Sequence, residues 1–178
     1  MSTLFLIGNG SSRSGFRLSR LRDKGLVIGC NLAYRDYPDF AAVITIDAKV
    51  SRFCEREFHG LHIFNDGFKT DDIYCNNLAF KVGKLPKLQD KLDSGKLAAY
   101  IAHTVFRADH LVMLGMDFGG PDLYSCKFES RPNFIEDWNE LLKPFKEVTL
   151  VNDEVQDQLA GLQLTQVTYA ALVARMDI

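Results

Sequence analysis

Short apolar runs that end in glycine or polar residues alternate with amphipathic stretches along this chain. An apolar run of about four to eight residues bounded by turn signals is typical of a buried strand, and apolar residues recurring roughly every three or four positions are typical of a helix. Strands are predicted at residues 3–8, 26–31, 40–47, 62–64, 111–118 and 148–152. Helices are predicted at residues 48–57, 94–108 and 135–145 and in the tail 165–175, with a short helix or turn at 15–23.

The helix predicted at residues 94–108 has a strong amphipathic pattern. Its apolar positions recur at helical spacing and are Leu97, Ala98, Ile101, Ala102, Val105 and Phe106. Ser94 and Gly95 stand at its start, where an N-cap and free backbone N–H groups are expected. The preceding segment 65–92 is less regular, and its composition favours a long loop or a small lid-like insertion.

The alternation of strands and helices predicts a mostly parallel sheet with right-handed crossovers. We therefore expect an α/β, Rossmann-like fold in which helices flank the sheet, formed as a single domain over residues 1–178. Hydrophobic residues make up 47% of the chain, which is enough to fill the core of one such domain.

Polar side chains stand at or near the ends of several predicted strands: Asn9, Asn31, Asp47 and Asp117. Parallel strands end at one edge of their sheet, and ligands bind outside those carboxyl ends. Each junction taken singly is also typical of an ordinary strand-to-loop turn. Their coincidence predicts a binding site at this edge.

The first predicted strand runs directly into the turn Gly8, Asn9, Gly10, Ser11 and Ser12. The glycines allow a ligand to approach the main chain, and the asparagine and serines offer short hydrogen-bonding groups there. This turn predicts a nucleotide or phosphate site. An ordinary strand-to-loop turn is the alternative interpretation.

The charge and the cysteine content of the chain bear on its partners and its compartment. The formal net charge of −2 and the lack of a strongly basic block argue against nucleic-acid binding as the main role. No apolar run reaches the roughly 18 residues of a membrane span, and no signal peptide is recognisable, so we expect a cytoplasmic protein. In that compartment the widely spaced cysteines are expected as free thiols. His59 and His62 lack further ligands nearby, and no metal site is predicted.

Several short motifs occur along this chain in the same order as in a known protein family. They are I-G-N-G-S-S at 7–12, G-C-N-L-A-Y at 29–34, D-S-G-K-L-A-A-Y-I-A-H at 93–103, L-V-M-L-G-M-D-F at 111–118 and then Tyr124. This order resembles the bacterial sialyltransferases that use a CMP-activated sugar, which carry a G-N-G-P-S turn, a C-N followed by an aromatic residue, an S-G at a helix start and an apolar strand ending in G-x-D-F. It is also similar to the broader group of 6-hydroxymethylpterin diphosphokinase-like and flagellin-glycosylation accessory proteins.

The resemblance implies a CMP-linked sugar as the donor and assigns roles to matching positions. It places the turn at residues 8–12 along the nucleotide and its phosphate, and Asn31 near the sugar or the phosphate. It implies that Tyr124 helps to hold the leaving phosphate. Backbone N–H groups, serine hydroxyls, an asparagine amide and a tyrosine hydroxyl are suitable donors to the negative charge that develops on such a group.

The same resemblance implies that Ser94 and Gly95 contact the cytidine. A simple N-cap is the alternative role of this pair. Asp117 matches the aspartate that closes the later strand of the resembled proteins, and capping of the next segment is its alternative role. Because these relatives commonly assemble, the resemblance also raises a homo-oligomer as the state of this protein.

The chain departs from the sialyltransferase pattern at the general base, which is a histidine in the resembled proteins. The matching segment 128–131 contains no histidine, and Glu129 falls at about that place. A carboxylate can act as a general base where its pKa and reach suit the acceptor hydroxyl, and Asp47 is the second candidate. A second phosphate-holding tyrosine of the resembled proteins would fall near Gly119 and is missing.

These observations predict a glycosyltransferase that binds a nucleotide-activated sugar, CMP-linked, at the carboxyl ends of the parallel strands. One alternative is a diphosphokinase-like transferase with Mg²⁺ held by Asp47 and Asp117. The other is a non-catalytic protein that binds or sequesters a nucleotide after loss of the base.

Overall fold

The computed structural model of the protein describes residues 2–65, 72–76, 80–84, 92–118, 123–124, 135–154, 159 and 161–178. These residues form one nine-stranded sheet. In chain order its strands are β1 (Thr3–Ile7), β2 (Leu26–Cys30), β3 (Ala42–Thr45), β4 (His62–Asn65), β5 (Asp72–Cys75), β6 (Phe80–Lys84), β7 (His110–Leu114), β8 (Glu147–Val151) and β9 (Thr165–Val167).

The strand order across the sheet is β6-β5-β4-β3-β2-β1-β7-β8-β9. Neighbouring strands from β4 through to β9 pair in parallel, and β5 and β6 extend one edge as antiparallel neighbours. The predicted α/β, Rossmann-like fold with a mostly parallel sheet is therefore confirmed.

Helices cover both faces of the sheet in the described part of the chain. They are α1 (Ala48–Glu57), α2 (Ser94–Thr104), α3 (Ile135–Leu142) and α4 (Tyr169–Met176). On one face α2 and α3 bury Leu97, Ile101 and Trp138 against the sheet. On the other face Cys54 of α1 and Leu172 of α4 join a second apolar cluster. None of the described helices has the length and apolar character needed to cross a membrane.

Two segments differ from the sequence prediction. Within 65–92, where a long loop or lid is predicted, the described residues form β5 and β6. Strand β5 has only four residues with alternating burial, which is too short for a clear period-two signal. In the tail predicted as helix 165–175, β9 pairs with β8 before α4 begins, and the Thr168 side chain caps that helix by accepting from the Ala171 amide at 3.1 Å.

The order in which strands are added to the sheet reverses between β1 and β7. Strands β2, β3 and β4 are added on one side of β1, whereas β7, β8 and β9 are added on the other. The connection from β1 to β2 uses the 3-10 turns Ser11–Arg13 and Leu18–Leu21, which agrees with the short helix or turn predicted at 15–23. In open α/β sheets the crevice at such a reversal is where ligands bind. The topology thus points to the loops that follow β1 and β7.

Candidate functional site

The loops that follow β1 and β7 lie in direct contact. The amide of Gly8 donates to the carbonyl of Leu114 at 2.8 Å, and the amide of Gly10 donates to the carbonyl of Gly115 at 2.8 Å. A Cβ atom at Gly8 would overlap the Gly115 carbonyl, and one at Gly10 would overlap the carboxylate of Asp117. The glycines of the first turn are therefore required for the approach of the neighbouring loop.

Asp117 closes this junction. Its carboxylate accepts one hydrogen bond from the Ser12 amide at 2.9 Å and another from the Ser12 hydroxyl. The carboxylate thus lies at the start of the 3-10 turn Ser11–Arg13, where backbone N–H groups favour an anion. The sequence prediction places Ser12 and Asp117 at one edge, and the structure joins them to each other.

Tyr169 reaches the same junction from α4. Its hydroxyl lies beside Ser12, buried and without a hydrogen bond of good geometry to the described residues. Burial, with the nearby charge of Asp117, raises the pKa of Tyr169 to about 12, so the hydroxyl stays protonated at neutral pH. No local pattern in the sequence marks Tyr169 as a site residue, because it lies more than 150 positions from Ser12 in a helix with no motif.

Asn9 and Ser11 complete the first turn. The carbonyl of Asn9 accepts from the Leu123 amide at 2.8 Å, which brings the segment before Tyr124 over the turn. The side-chain oxygen of Asn9 is buried and has no hydrogen-bond partner among the described residues. Ser11 is partly exposed and starts the 3-10 turn. The described residues therefore leave the hydrogen-bonding capacity of this acceptor unused.

Asn31 and Ser94 form a second contact between distant segments. The Ser94 hydroxyl donates to the side-chain oxygen of Asn31 at 2.8 Å, joining the end of β2 to the start of α2. Asn31 has a φ of 52°, in the left-handed region that asparagine tolerates better than most residues. Such conformations persist where the surroundings impose them, and they concentrate at functional sites.

The N-cap of α2 is one residue earlier than the sequence predicts. Asp93 is the cap, because its carboxylate accepts from the Lys96 amide at 2.9 Å, and Ser94 is the first helical residue. This assignment leaves the Ser94 hydroxyl to bind Asn31. Gly95 is buried under Met116, whose terminal carbon would lie 2.5 Å from a Cβ atom at that position. The alternative role of this pair, a simple N-cap, is therefore filled by Asp93, and their predicted contact with the cytidine stays a prediction.

Arg13 is a charged residue at this edge to which the sequence prediction gives no role. Its side chain is only 3% exposed. Its Nε donates to the Gly8 carbonyl at 2.7 Å, and its Nη2 donates to the Tyr124 hydroxyl at 3.0 Å and pairs with Asp36 at 2.8 Å. In the sequence Arg13 looks like one of several basic residues on a surface turn.

Tyr124 bridges Arg13 and Asp36. Its hydroxyl accepts from Arg13 and donates to the Asp36 carboxylate at 2.6 Å. Burial raises the pKa of Tyr124 to about 12, and the hydrogen bond to Asp36 acts in the same direction. The tyrosine that the resemblance assigns to the leaving phosphate thus lies at the same edge of the sheet as the first turn.

Of the two candidate general bases, Asp47 lies in the described part of the chain and Glu129 does not. Asp47 caps α1, where its carboxylate accepts from the amides of Lys49 at 2.7 Å and Val50 at 3.1 Å. Its exposed position at the end of β3 is at the predicted edge, and its carboxylate is engaged by the helix. Glu129 lies outside the described residues, as do its neighbours from 125 to 134.

Asp47 and Asp117 are not neighbours. They follow β3 and β7, which are separated in the sheet by β2 and β1. Three strand spacings correspond to about 14 Å, far more than the separation of two carboxylates on one Mg²⁺. No group of three or more histidine, cysteine, aspartate or glutamate side chains suited to a metal occurs within the described ranges.

All four histidines lie away from the carboxyl edge. His62 begins β4 and His110 begins β7, which places both at the amino edge of the sheet. His59 immediately precedes β4, and His103 lies at the end of α2. The expectation that these histidines do not supply the missing base is consistent with their positions.

The structure therefore brings together most of the predicted site residues at one edge. The contacts join the turn at 8–12 to Asp117, Asn31 to Ser94, and Tyr124 to Arg13 and Asp36. Searches of protein-family models, curated proteins and solved structures gave no match to this chain.

Proposed function

We propose that this protein binds a CMP-linked sugar at the carboxyl edge of its sheet and transfers the sugar to an acceptor. One observation supports this most directly: the residues that carry the sialyltransferase resemblance come from four distant segments and lie at the same sheet edge. Two of their contacts, Ser12 with Asp117 and Asn31 with Ser94, join segments that are 105 and 63 positions apart.

The start of α2 suits the donor in this proposal. The resemblance assigns Ser94 and Gly95 to the cytidine of the donor, and the Asp93 carboxylate already accepts a backbone hydrogen bond at this helix terminus. The Ser94 hydroxyl donates to the side-chain oxygen of Asn31, which has a positive φ. In this arrangement the Asn31 amide and the Ser94 hydroxyl contact the donor together. Loss of either side chain would then weaken binding of the same ligand.

A second candidate function is nucleotide binding without transfer. The specific observation in its favour is that the four histidines lie away from the carboxyl edge, while the carboxylate of Asp47 is engaged as a helix cap. Glycosyl transfer needs a base to take the proton of the acceptor hydroxyl. A protein of this kind would bind CMP-sugar and leave it intact.

The Mg²⁺-dependent alternative is less well supported than either. A diphosphokinase needs Mg²⁺ to bridge the phosphates of its nucleotide, with carboxylates at short range. The separation of about 14 Å between the strand ends of Asp47 and Asp117 does not fit that requirement. Both carboxylates also accept hydrogen bonds from backbone amides.

The test is calorimetric titration of CMP and CMP-sialic acid into the protein and two variants. Asn31→Gly removes the amide group and keeps the left-handed backbone free of strain, and Ser94→Ala removes the hydroxyl. We expect each variant to lose about tenfold in affinity, a typical loss for one hydrogen bond to a ligand. Ser19→Ala, an exposed serine of the turn Leu18–Leu21, is the matched control and should bind as the wild type.

Release of CMP from the sugar without acceptor separates the two candidate functions. A transferase hydrolyses the donor slowly, whereas a binding protein leaves it unchanged. Equal affinity of the wild type, Asn31→Gly and Ser94→Ala would contradict the proposed site. No heat of binding with either ligand would contradict both functions.

A further inference from the structure

Arg13 is a buried cation whose hydrogen-bonding capacity is only partly used. The guanidinium offers five N–H groups in a planar fork. Nε donates to the Gly8 carbonyl and Nη2 is shared between Tyr124 and Asp36, whereas Nη1 makes no hydrogen bond within the described residues. The bond to Gly8 fixes the fork at the end of β1. A buried charge in this position needs an anion beside it.

Asp36 supplies that anion from the surface. It follows the 3-10 turn Asn31–Arg35, and its side chain is 41% exposed, whereas that of Arg13 is 3% exposed. The cation is thus enclosed by the protein, and the carboxylate approaches it from the solvent side. Tyr124 donates its hydroxyl proton to the same carboxylate oxygen that pairs with Arg13. The two donors converge on one oxygen of this partly exposed carboxylate.

We propose that Arg13 recognises a phosphate group beside Tyr124, and that Asp36 is an internal counter-ion which this phosphate replaces. This inference rests on the proposed function, because it identifies the phosphate partner within the same sheet edge. An arginine fork matches the oxygens of a phosphate and binds them in a bidentate manner. The Tyr124 hydroxyl, kept protonated at neutral pH, donates to a phosphate oxygen in place of Asp36.

The position of the cluster supports this assignment over a purely structural role. Arg13 packs its aliphatic carbons against Gly115, where a Cβ atom would lie 2.7 Å from the Arg13 Cδ. The guanidinium therefore lies between the loops of β1 and β7, at the reversal of strand order where phosphates bind in related architectures. Ser12, another donor of this turn, is occupied by Asp117. Arg13, the next residue in the chain, is the cation beside Ser12.

The experiment compares Asp36→Asn with a matched control of equal charge change. Asp39→Asn lies three residues further on, where Asp39 pairs with Arg22 at 2.6 Å on an exposed surface. Inorganic phosphate, CMP and cytidine are each titrated into the wild type and both variants by calorimetry. If the Asp36 carboxylate is bound to Arg13 for most of the time, the Asp36→Asn variant should bind phosphate and CMP about tenfold more tightly than the wild type. Cytidine should bind equally to all three proteins, and Asp39→Asn should match the wild type.

A double variant, Asp36→Asn with Arg13→Gln, tests the cation itself. The double variant should lose the gain in phosphate affinity seen in Asp36→Asn. A melting curve of each variant without ligand checks that the variant is folded. Unchanged phosphate affinity in Asp36→Asn, a gain that persists without Arg13, or no phosphate binding to any variant would overturn the inference.

The ligand set keeps this inference distinguishable from the proposed function. If CMP binds through Asn31 and Ser94 but Asp36→Asn changes nothing, the counter-ion role fails and the proposed function stands. If inorganic phosphate gains affinity in Asp36→Asn while CMP binds no better than phosphate alone, the phosphate site stands and the CMP-sugar proposal fails.

Discussion

The backbone amide and the hydroxyl of Ser12 both donate hydrogen bonds to the carboxylate of Asp117. A residue that follows β7 therefore holds the first turn after β1, 105 positions earlier in the chain. In Rossmann-like sheets the backbone amides of that turn commonly hold a phosphate. Here an internal carboxylate has that place, and for this reason the proposed phosphate partner is the adjacent Arg13.

Replacement of Asp117 by asparagine tests the strength of this contact. We expect Asp117→Asn to lower the free energy of unfolding by about 1–3 kcal/mol, because the amide lacks the charge and one of its two oxygen acceptors. Ser12→Ala removes only the hydroxyl and should lose about 1 kcal/mol. Urea unfolding followed by circular dichroism gives both values. A double-mutant cycle should show coupling between the two positions, and strict additivity would contradict a direct contact.

The two glycines at positions 8 and 161 make a matched pair for a packing test. A Cβ atom at Gly8 would overlap the backbone oxygen of Gly115, whereas one at Gly161 would meet its nearest neighbour at an ordinary 3.7 Å. We expect Gly8→Ala to destabilise the protein by about 1–3 kcal/mol through overpacking. Gly161→Ala should stay within about 0.5 kcal/mol of the wild type. Equal melting temperatures for the two variants would show that the loops of β1 and β7 are not in close contact.

Helices and strands whose apolar positions follow a clear spacing were predictable from the sequence. The helix predicted at 48–57 has the same bounds as α1, and in the structure the Asp47 carboxylate caps it. The strands after the first turn were also predictable, because long apolar runs favour buried parallel strands. Strands β5, β6 and β9 were not, because they are three to five residues long and their identity depends on pairing with a neighbour already in the sheet.

The candidate site was predictable in position but less so in its contacts. Polar residues at strand ends indicate the carboxyl edge, and Asn9, Asn31 and Asp117 lie there. The pairing of Arg13 with Tyr124 joins residues 111 positions apart, which no local pattern encodes. Arg13 looks like a surface residue in the sequence and is buried by contacts from distant segments, with Gly115 against its aliphatic carbons and Tyr124 at its guanidinium.

The pair Lys96 and Asp137 joins α2 to α3 inside the protein, at 3.0 Å and with side chains 1% and 4% exposed. Removal of one partner leaves a buried charge, so Lys96→Met should lower the free energy of unfolding by about 3–5 kcal/mol. The double variant Lys96→Met with Asp137→Leu should recover most of that loss, because both charges are gone. Lys143→Met removes the exposed pair with Glu140 and should change stability by less than about 1 kcal/mol. A double variant as unstable as Lys96→Met would contradict this account of the pair.

His62 should make the stability of the fold depend on pH. It is fully buried at the start of β4, where its Nε2 contacts the Thr45 hydroxyl at 2.8 Å, and its Nδ1 has no partner among the described residues. Burial lowers the pKa of His62 from 6.5 to about 4. The folded state therefore keeps the ring neutral while the unfolded chain binds a proton, so stability is full above pH 6.5 and falls as the pH drops towards 4.

A shift of this size corresponds to a loss of about 3 kcal/mol across that window. Urea unfolding at a series of pH values measures it, and His62→Gln should flatten this part of the curve by removing the titrating group. The matched variant His59→Gln changes an exposed ring and should keep the wild-type slope. If the slope between pH 6.5 and 4 were the same in His62→Gln and the wild type, the neutral, buried state of His62 would not be the source of the acid sensitivity.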